Sequence, residues 1–136
     1  MQVNPYVIFN SNCEAAFKYY EKELGAKIEM LMRNEDGPES MSPPERKKNI
    51  MHARISIDGH VLMASDAPPD RFHKPQGFSL SLTVNDLAEA ERKFKALSAG
   101  GSVEMPFSKT FFAKGFGMAT DQFGIPWMVH CPLEGH

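Results

Sequence analysis

The chain has 136 residues, 42% hydrophobic and 24% charged, with a formal net charge of −2. That length can bury a core without disulfide or metal staples, and the charge supplies no basic field to draw nucleic acid or anionic lipid. No apolar run approaches the ~20 residues of a membrane span. The opening Met1-Gln2-Val3-Asn4-Pro5 lacks the basic-then-apolar layout of a secretory leader, so the cytoplasm is the expected compartment.

Pro5 to Phe9 reads as a strand. Ser11 and Glu14 form an S-x-x-E capping pattern, and Cys13, Phe17, Tyr20 and Leu24 follow at helical spacing up to Gly25. Cys13 falls in the first turn of that helix, where a thiolate can be stabilised or a small residue simply packs. It shares no C-x-x-C spacing with Cys131, so neither a zinc knuckle nor a redox pair is indicated. Lys27 to Met32 is a second strand, and Arg33 to Asn49 is a polar loop containing Pro43-Pro44. From Met51 to Ile57 the residues alternate, with Ala53, Ile55 and Ile57 on one face and His52, Arg54 and Ser56 on the other. Asp58-Gly59 suits a hairpin turn into His60 to Ser65. Residues 67–77, with Pro68-Pro69 and Pro75, form the linker between a module over about 1–66 and another over about 78–136.

The order then restarts. Phe78 to Val84 alternates as a strand, Asp86 and Glu89 supply a cap, and Leu87, Ala90, Phe94 and Leu97 make a helical stripe ending at Gly100-Gly101. Val103 to Met105 is a strand, followed by an aromatic stretch from Phe107 to Phe116 and a last strand from Ile125 to His130. Gly25-Ala-Lys-Ile-Glu-Met30 matches Gly100-Gly-Ser-Val-Glu-Met105, Tyr20 matches Phe94, and Gly59 matches Gly124. A duplicated unit defines an architecture. Here it is α+β, two tandem βαβββ modules, each with one helix for one sheet face. The other faces are expected to enclose a cavity.

This pattern resembles the vicinal-oxygen-chelate (glyoxalase/bleomycin-resistance) superfamily over nearly the whole chain. Several segments resemble more narrowly its PhnB-like branch, also described as 3-demethylubiquinone 3-methyltransferase-like. They are Pro5 to Phe9, Asn12 to Tyr20 with Leu24-Gly25, Met51-His52-Ala53, Met63-Ala-Ser-Asp66, Phe116-Gly-Met118 and Asp121 to Met128. The resemblance implies a homodimer. In the metalloenzymes of the superfamily, His, Glu or Gln side chains on the first and last strand of each module hold a divalent cation. Through the internal repeat those positions are expected at Pro5, Met63, Ser79 and Met128. Proline has no donor, a serine hydroxyl is a poor ligand, and thioethers suit soft Cu(I). The expectation is therefore no metal and no cofactor. The methyltransferase description also lacks support from the residues, since no glycine-rich βα turn of a parallel nucleotide-binding sheet is visible.

Taking those positions as inward, the ligand-binding candidates are Phe9, His52, Arg54, Met63, Ser65, Ser79, Ser81, Phe112, Phe116, Met128 and His130. Val7 and Thr83 join them on the cavity side, while Ile8, Leu62, Leu80, Leu82, Trp127 and Val129 are expected under the helices. Arg54 could clamp an anion or be merely solvated. His52 and His130 are the catalytic candidates, and Phe107, Phe111, Phe112 and Phe116 could form a lid or pack on a partner subunit. His60, His73 and His136 read as solvated. The reading preferred is a binder of a small organic ligand in the inter-module cavity, without metal. A metal-independent enzyme acting on a small organic acid or phosphonate-like substrate stays open. So do a metal-dependent glyoxalase- or dioxygenase-type enzyme with a relocated site and a vestigial pocket on a protein that works through its dimer surface.

Overall fold

The computed structural model describes residues 1–38 and 43–134. Residues 39–42, inside the expected polar loop, and His136 lie outside the described residues. The chain divides into two compact units, Met1–His73 and Lys74–His136. In the first, strand β1 (Tyr6–Phe9) leads to helix α1 (Cys13–Leu24) and then to β2 (Lys27–Arg33), β3 (Ile50–Ile57) and β4 (His60–Asp66). In the second, β5 (Leu80–Thr83) leads to α2 (Leu87–Ser98), β6 (Ser102–Ser108), β7 (Ala113–Thr120) and β8 (Pro126–Pro132). The sheets run β1-β4-β3-β2 and β5-β8-β7-β6. In each, the first strand pairs parallel with the last and the remaining pairs are antiparallel.

One face of each sheet is covered by the unit's own helix. In the first unit Val7, Phe9, Ala53, Ile55, Leu62 and Ala64 are buried together with Ala16, Phe17, Tyr20 and Leu24 of α1. The Phe9 and Phe17 rings meet edge-on with centroids 6.1 Å apart. Each large apolar side chain buried this way contributes about 1.5–3 kcal/mol.

This corrects the face expected for β1. Val7 and Phe9 point into the helix-covered core, whereas Tyr6 and Ile8 lie on the other face, 44% and 39% exposed. A side-chain period of two makes a slip of one residue reverse a whole strand, and Tyr-Val-Ile-Phe is apolar throughout and so carries no alternation to prevent it. In the second unit Trp127 and Val129 are buried as expected, with Leu80 and Leu82 half-buried on the same strand face.

The aromatic stretch also differs from expectation. Most of it belongs to strands β6 and β7, and the helix-side residues of β7 are Ala113, Gly115, Gly117 and Ala119. Small residues are required there because rings lie against the backbone. A Cβ on Gly117 would fall 2.6 Å from Phe94 Cε1, and one on Gly115 would meet the ring of Phe107. Phe107 packs on Phe94 with centroids 5.6 Å apart, so it belongs to the α2 layer and not to a lid.

The two helices start differently. Asp86 caps α2 by accepting from Glu89 N at 3.0 Å. The expected Ser11/Glu14 box is absent: Asn12 is the N-cap residue of α1 and makes no side-chain cap bond. Asp66, at the end of β4, replaces it, accepting from Cys13 N at 2.9 Å and from Ile50 N at 2.8 Å. One carboxylate thus ties the start of α1, the start of β3 and the end of β4. Glu14 turns instead to Arg33, which donates from both terminal nitrogens at 2.7 and 2.8 Å.

Replacing Asp66 by Ala leaves two backbone N–H groups without their acceptor and is expected to cost about 2–3 kcal/mol. Asp86→Ala removes one such bond and should cost about 1 kcal/mol. Urea unfolding of both variants checks this, and equal losses would disprove the bridging role of Asp66. A second prediction concerns acid. The Arg33 hydrogen bonds, aided by Lys18, hold Glu14 down at about 2 from an ordinary 4.5. A carboxyl depressed in the folded state stabilises fully above its unfolded value and loses that contribution as pH falls from 4.5 towards 2. In Arg33→Met, a carbon-13 titration should find Glu14 returned towards its ordinary value; an unchanged midpoint would remove Arg33 as the cause.

Candidate functional site

Each sheet presents a second face that its own helix does not cover, and the functional candidates divide between these faces. On the first sheet the face is formed by Tyr6 and Ile8 of β1, His52 and Arg54 of β3, and Met63 and Ser65 of β4. Its register sets Tyr6 beside Met63, Ile8 beside Ser65, and Arg54 on the other flank of Met63. Met32 pairs with His52 and Met30 with Arg54 from β2. The Tyr6 hydroxyl and His52 Nδ1 are 3.1 Å apart, and the two rings are stacked at 5.7 Å. Arg54 donates from Nε to Glu29 Oε1 at 2.9 Å. Its charge therefore has an internal partner, which weakens the expectation of an anion clamp, although an exposed pair of this kind holds only loosely.

Of the candidates from this unit, His52, Arg54, Met63 and Ser65 share a face and Phe9 does not. Tyr6 and Ile8 take its place. A signal for them was present in the repeat: the helix-ending glycines Gly25 and Gly100 are 75 apart (100 − 25), and the same step carries Tyr6 to Ser81. A step of 74, which pairs Pro5 with Ser79 (79 − 5), reverses β1.

On the second sheet, register places Ser81 beside Met128, Thr83 beside His130, Phe116 beside His130, and Met118 beside Met128. Phe112, in the β6–β7 connection, completes an aromatic group. Its ring lies 5.2 Å from Phe116 and 6.3 Å from His130, and Phe116 and His130 are 6.2 Å apart. Phe111 stacks edge-on against Phe112 at 5.3 Å and is almost wholly exposed. Ser79, Met118 and Met128 also line a groove of about 440 Å³. Ser79, Ser81, Phe112, Phe116, Met128 and His130 thus all belong to one side of one unit.

One buried carboxylate shapes the floor of that side. Asp121, 3% exposed, accepts from Phe123 N, Ile125 N and Trp127 Nε1 at 2.9–3.0 Å. It closes the β7–β8 turn and fixes the indole beneath β8, which sets the direction of Met128 and His130 on the opposite face. In the sequence Asp121 stands out only through the family resemblance; its burial depends on the turn and β8 bringing three donors to one carboxylate.

Register shows where the positions that the resemblance implies as metal ligands lie. Met63 neighbours Tyr6 and Met128 neighbours Ser81. Pro5 precedes β1 and is engaged through its carbonyl, which accepts from Met63 N at 3.0 Å. Replacing Pro5 by Tyr6 and Ser79 by Ser81 leaves the chemistry unsuited to a hard divalent cation, since two thioethers, a phenol and an alcohol supply neither carboxylate nor imidazole. Among the described residues no group of three His, Cys, Asp or Glu side chains is arranged to hold a metal. His60 and His73 are exposed. Cys13 is fully buried, and burial, aided by the charges of Asp66 and Glu14, pushes its thiol far above the ordinary range. It packs under the helix in surroundings that disfavour a thiolate.

The family model for 3-demethylubiquinone-9 3-methyltransferase matches residues 1–130. The chain belongs to this family. It is 38% identical to protein YjdN from Escherichia coli, covering 96% of this chain and 95% of that one. A solved protein from Pseudomonas aeruginosa is 47% identical over 97% of this chain and 98% of its own, with a TM-score of 0.88. A solved PhnB protein from Bacillus cereus is 22% identical, covers 96% and 99%, and superposes with a TM-score of 0.83. The vicinal-oxygen-chelate fold recurs in a glyoxalase/bleomycin-resistance/dioxygenase domain from Frankia, 16% identical with a TM-score of 0.68. The methyl transfer in the family's description is not matched by architecture: two mixed sheets with one helix each differ from the parallel sheet and glycine-rich turn that typically hold such a donor. No described helix is long and apolar enough to cross a membrane.

Titration of the metal-free protein with Zn²⁺, Ni²⁺ or Mn²⁺ is expected to give no stoichiometric binding at the micromolar concentrations of a calorimetric experiment. A one-to-one isotherm tighter than about 1 µM, where a site is worth some 8 kcal/mol, would overturn the assignment of these four positions.

Proposed function

We propose that this PhnB-like protein binds a small organic molecule on its uncovered sheet faces, without a divalent metal of the superfamily's kind. The observation that carries the reading is the face of the second sheet, where Phe112, Phe116 and His130 adjoin Met118, Met128 and Ser81. Aromatic and thioether surface next to a few hydroxyl and imidazole groups is the usual make-up of a small-molecule site. The rings supply area, the sulfurs adapt to shape, and Ser81 and His130 supply direction. No nucleophile, base and orienting group come together there among the described residues, which favours binding over chemistry.

A second reading rests on the first sheet. The Tyr6 hydroxyl and His52 Nδ1 form a hydrogen-bonded pair at 3.1 Å. Such a pair holds the ring in place and leaves Nε2 to exchange a proton with a bound acid, the requirement of a metal-independent enzyme.

A metabolite and drug library, screened by thermal shift and then by titration, separates the two. The expected hit binds without turnover, and Phe116→Ala weakens it about tenfold, the effect of losing one or two ring contacts. Turnover of a hit, abolished in His52→Ala, would establish the enzyme instead. A complete screen without a saturable ligand would count against both.

A further inference from the structure

The groove on the second unit has a chemical bias. Its volume of about 440 Å³ lies within the roughly 300–1,000 Å³ of small-molecule sites. One wall is the 75–79 segment, contributing Phe78 and Ser79; the floor is Met118 and Thr120 of β7 with Met128 of β8; Glu104 stands on the β6 side. Glu104 is the one charged residue in the lining, and neither Lys, Arg nor His joins it. Its Oε1 accepts from the Thr120 hydroxyl at 2.7 Å and from the Ser102 hydroxyl at 3.3 Å. These two donors are neutral, so they orient the carboxylate without supplying a counter-charge. Among the described residues no cation forms an ion pair with Glu104. Phe78, 54% exposed, brings an aromatic side chain to the same groove.

A carboxylate held in orientation, an exposed ring and thioether surface together recognise an organic cation. The carboxylate receives the charge, the ring face attracts the cation's edge, and the methionines bury the hydrocarbon part. An anionic ligand would meet an unneutralised carboxylate and no cationic donor. We propose that this groove binds a small organic ammonium ion with an apolar body, with Glu104 as the residue that selects it. The proposal rests on the reading that the open faces bind small molecules, and it names the ligand class for one of them.

The test uses the full chain labelled with carbon-13 in the methionine methyl groups and three matched probes: phenethylammonium chloride, phenethyl alcohol and sodium phenylacetate. The ammonium probe is expected to shift the Met118 and Met128 methyl signals saturably while leaving Met51 unmoved. Its affinity should fall with added salt and drop about tenfold in Glu104→Gln, which keeps the shape and the Thr120 bond but loses the charge. Thr120→Val, which releases the carboxylate without removing it, should weaken binding less than Glu104→Gln. Phenylacetate binding as tightly as the ammonium probe, or an unchanged affinity in Glu104→Gln, would overturn the proposal. So would the absence of any shift at Met118 and Met128. If the alcohol shifts these methyls as strongly as the ammonium, charge selection falls while small-molecule binding stands; the library screen decides the latter separately.

Discussion

A four-stranded sheet has two faces, and each unit of this chain supplies a single helix to cover one of them. Everything that bears on function follows from which residues that helix takes. Phe9 and Phe17 meet in one unit, and Phe94 closes on Gly117 in the other; these contacts leave the alternate residues of every strand on the uncovered side. The candidate functional residues are therefore the complement of the core. His52, Met63, Met128 and His130 are placed by what Ala53, Leu62, Trp127 and Val129 do one position away.

Two buried or half-buried carboxylates hold this arrangement at points where regular hydrogen bonding runs out. Asp66 satisfies the first N–H of α1 and the first of β3 from the end of β4. Asp121 collects two backbone donors in the β7–β8 turn and the indole of Trp127. Both are acceptors with several donors converging on them, a common way to make a tight junction between elements. Neither belongs to the site, yet each sets the strand whose other face does.

Much of the fold was legible in the residues. The alternation of Met51 to Ile57, the helical stripes ending at Gly25 and Gly100, and the repetition of the whole order led to two βαβββ modules, the arrangement found. The faces of β3, β4 and β8 followed from alternation as well. The first strand did not, because Tyr6 to Phe9 is apolar throughout and periodicity cannot orient it; a repeat step of 74 in place of 75 then put Phe9 outward and made Pro5 a ligand position. The aromatic stretch failed for a related reason. Phe107, Phe112 and Phe116 look equivalent in sequence, but Phe107 follows the helix side against Gly115 while Phe112 and Phe116 gather around His130.

The cap of α1 marks the limit of local reasoning. Ser11 and Glu14 have the spacing of a capping box, but Asp66 accepts from the first N–H of α1 instead, and Arg33 engages the Glu14 carboxylate. Composition, periodicity and duplication determined the architecture. How Arg54 is partnered by Glu29, and how Glu104 comes to line a groove with Phe78 and Met128, were decided only by tertiary structure. Each depends on strands that are distant in the chain arriving side by side, and strand register is a long-range quantity that local pattern does not encode.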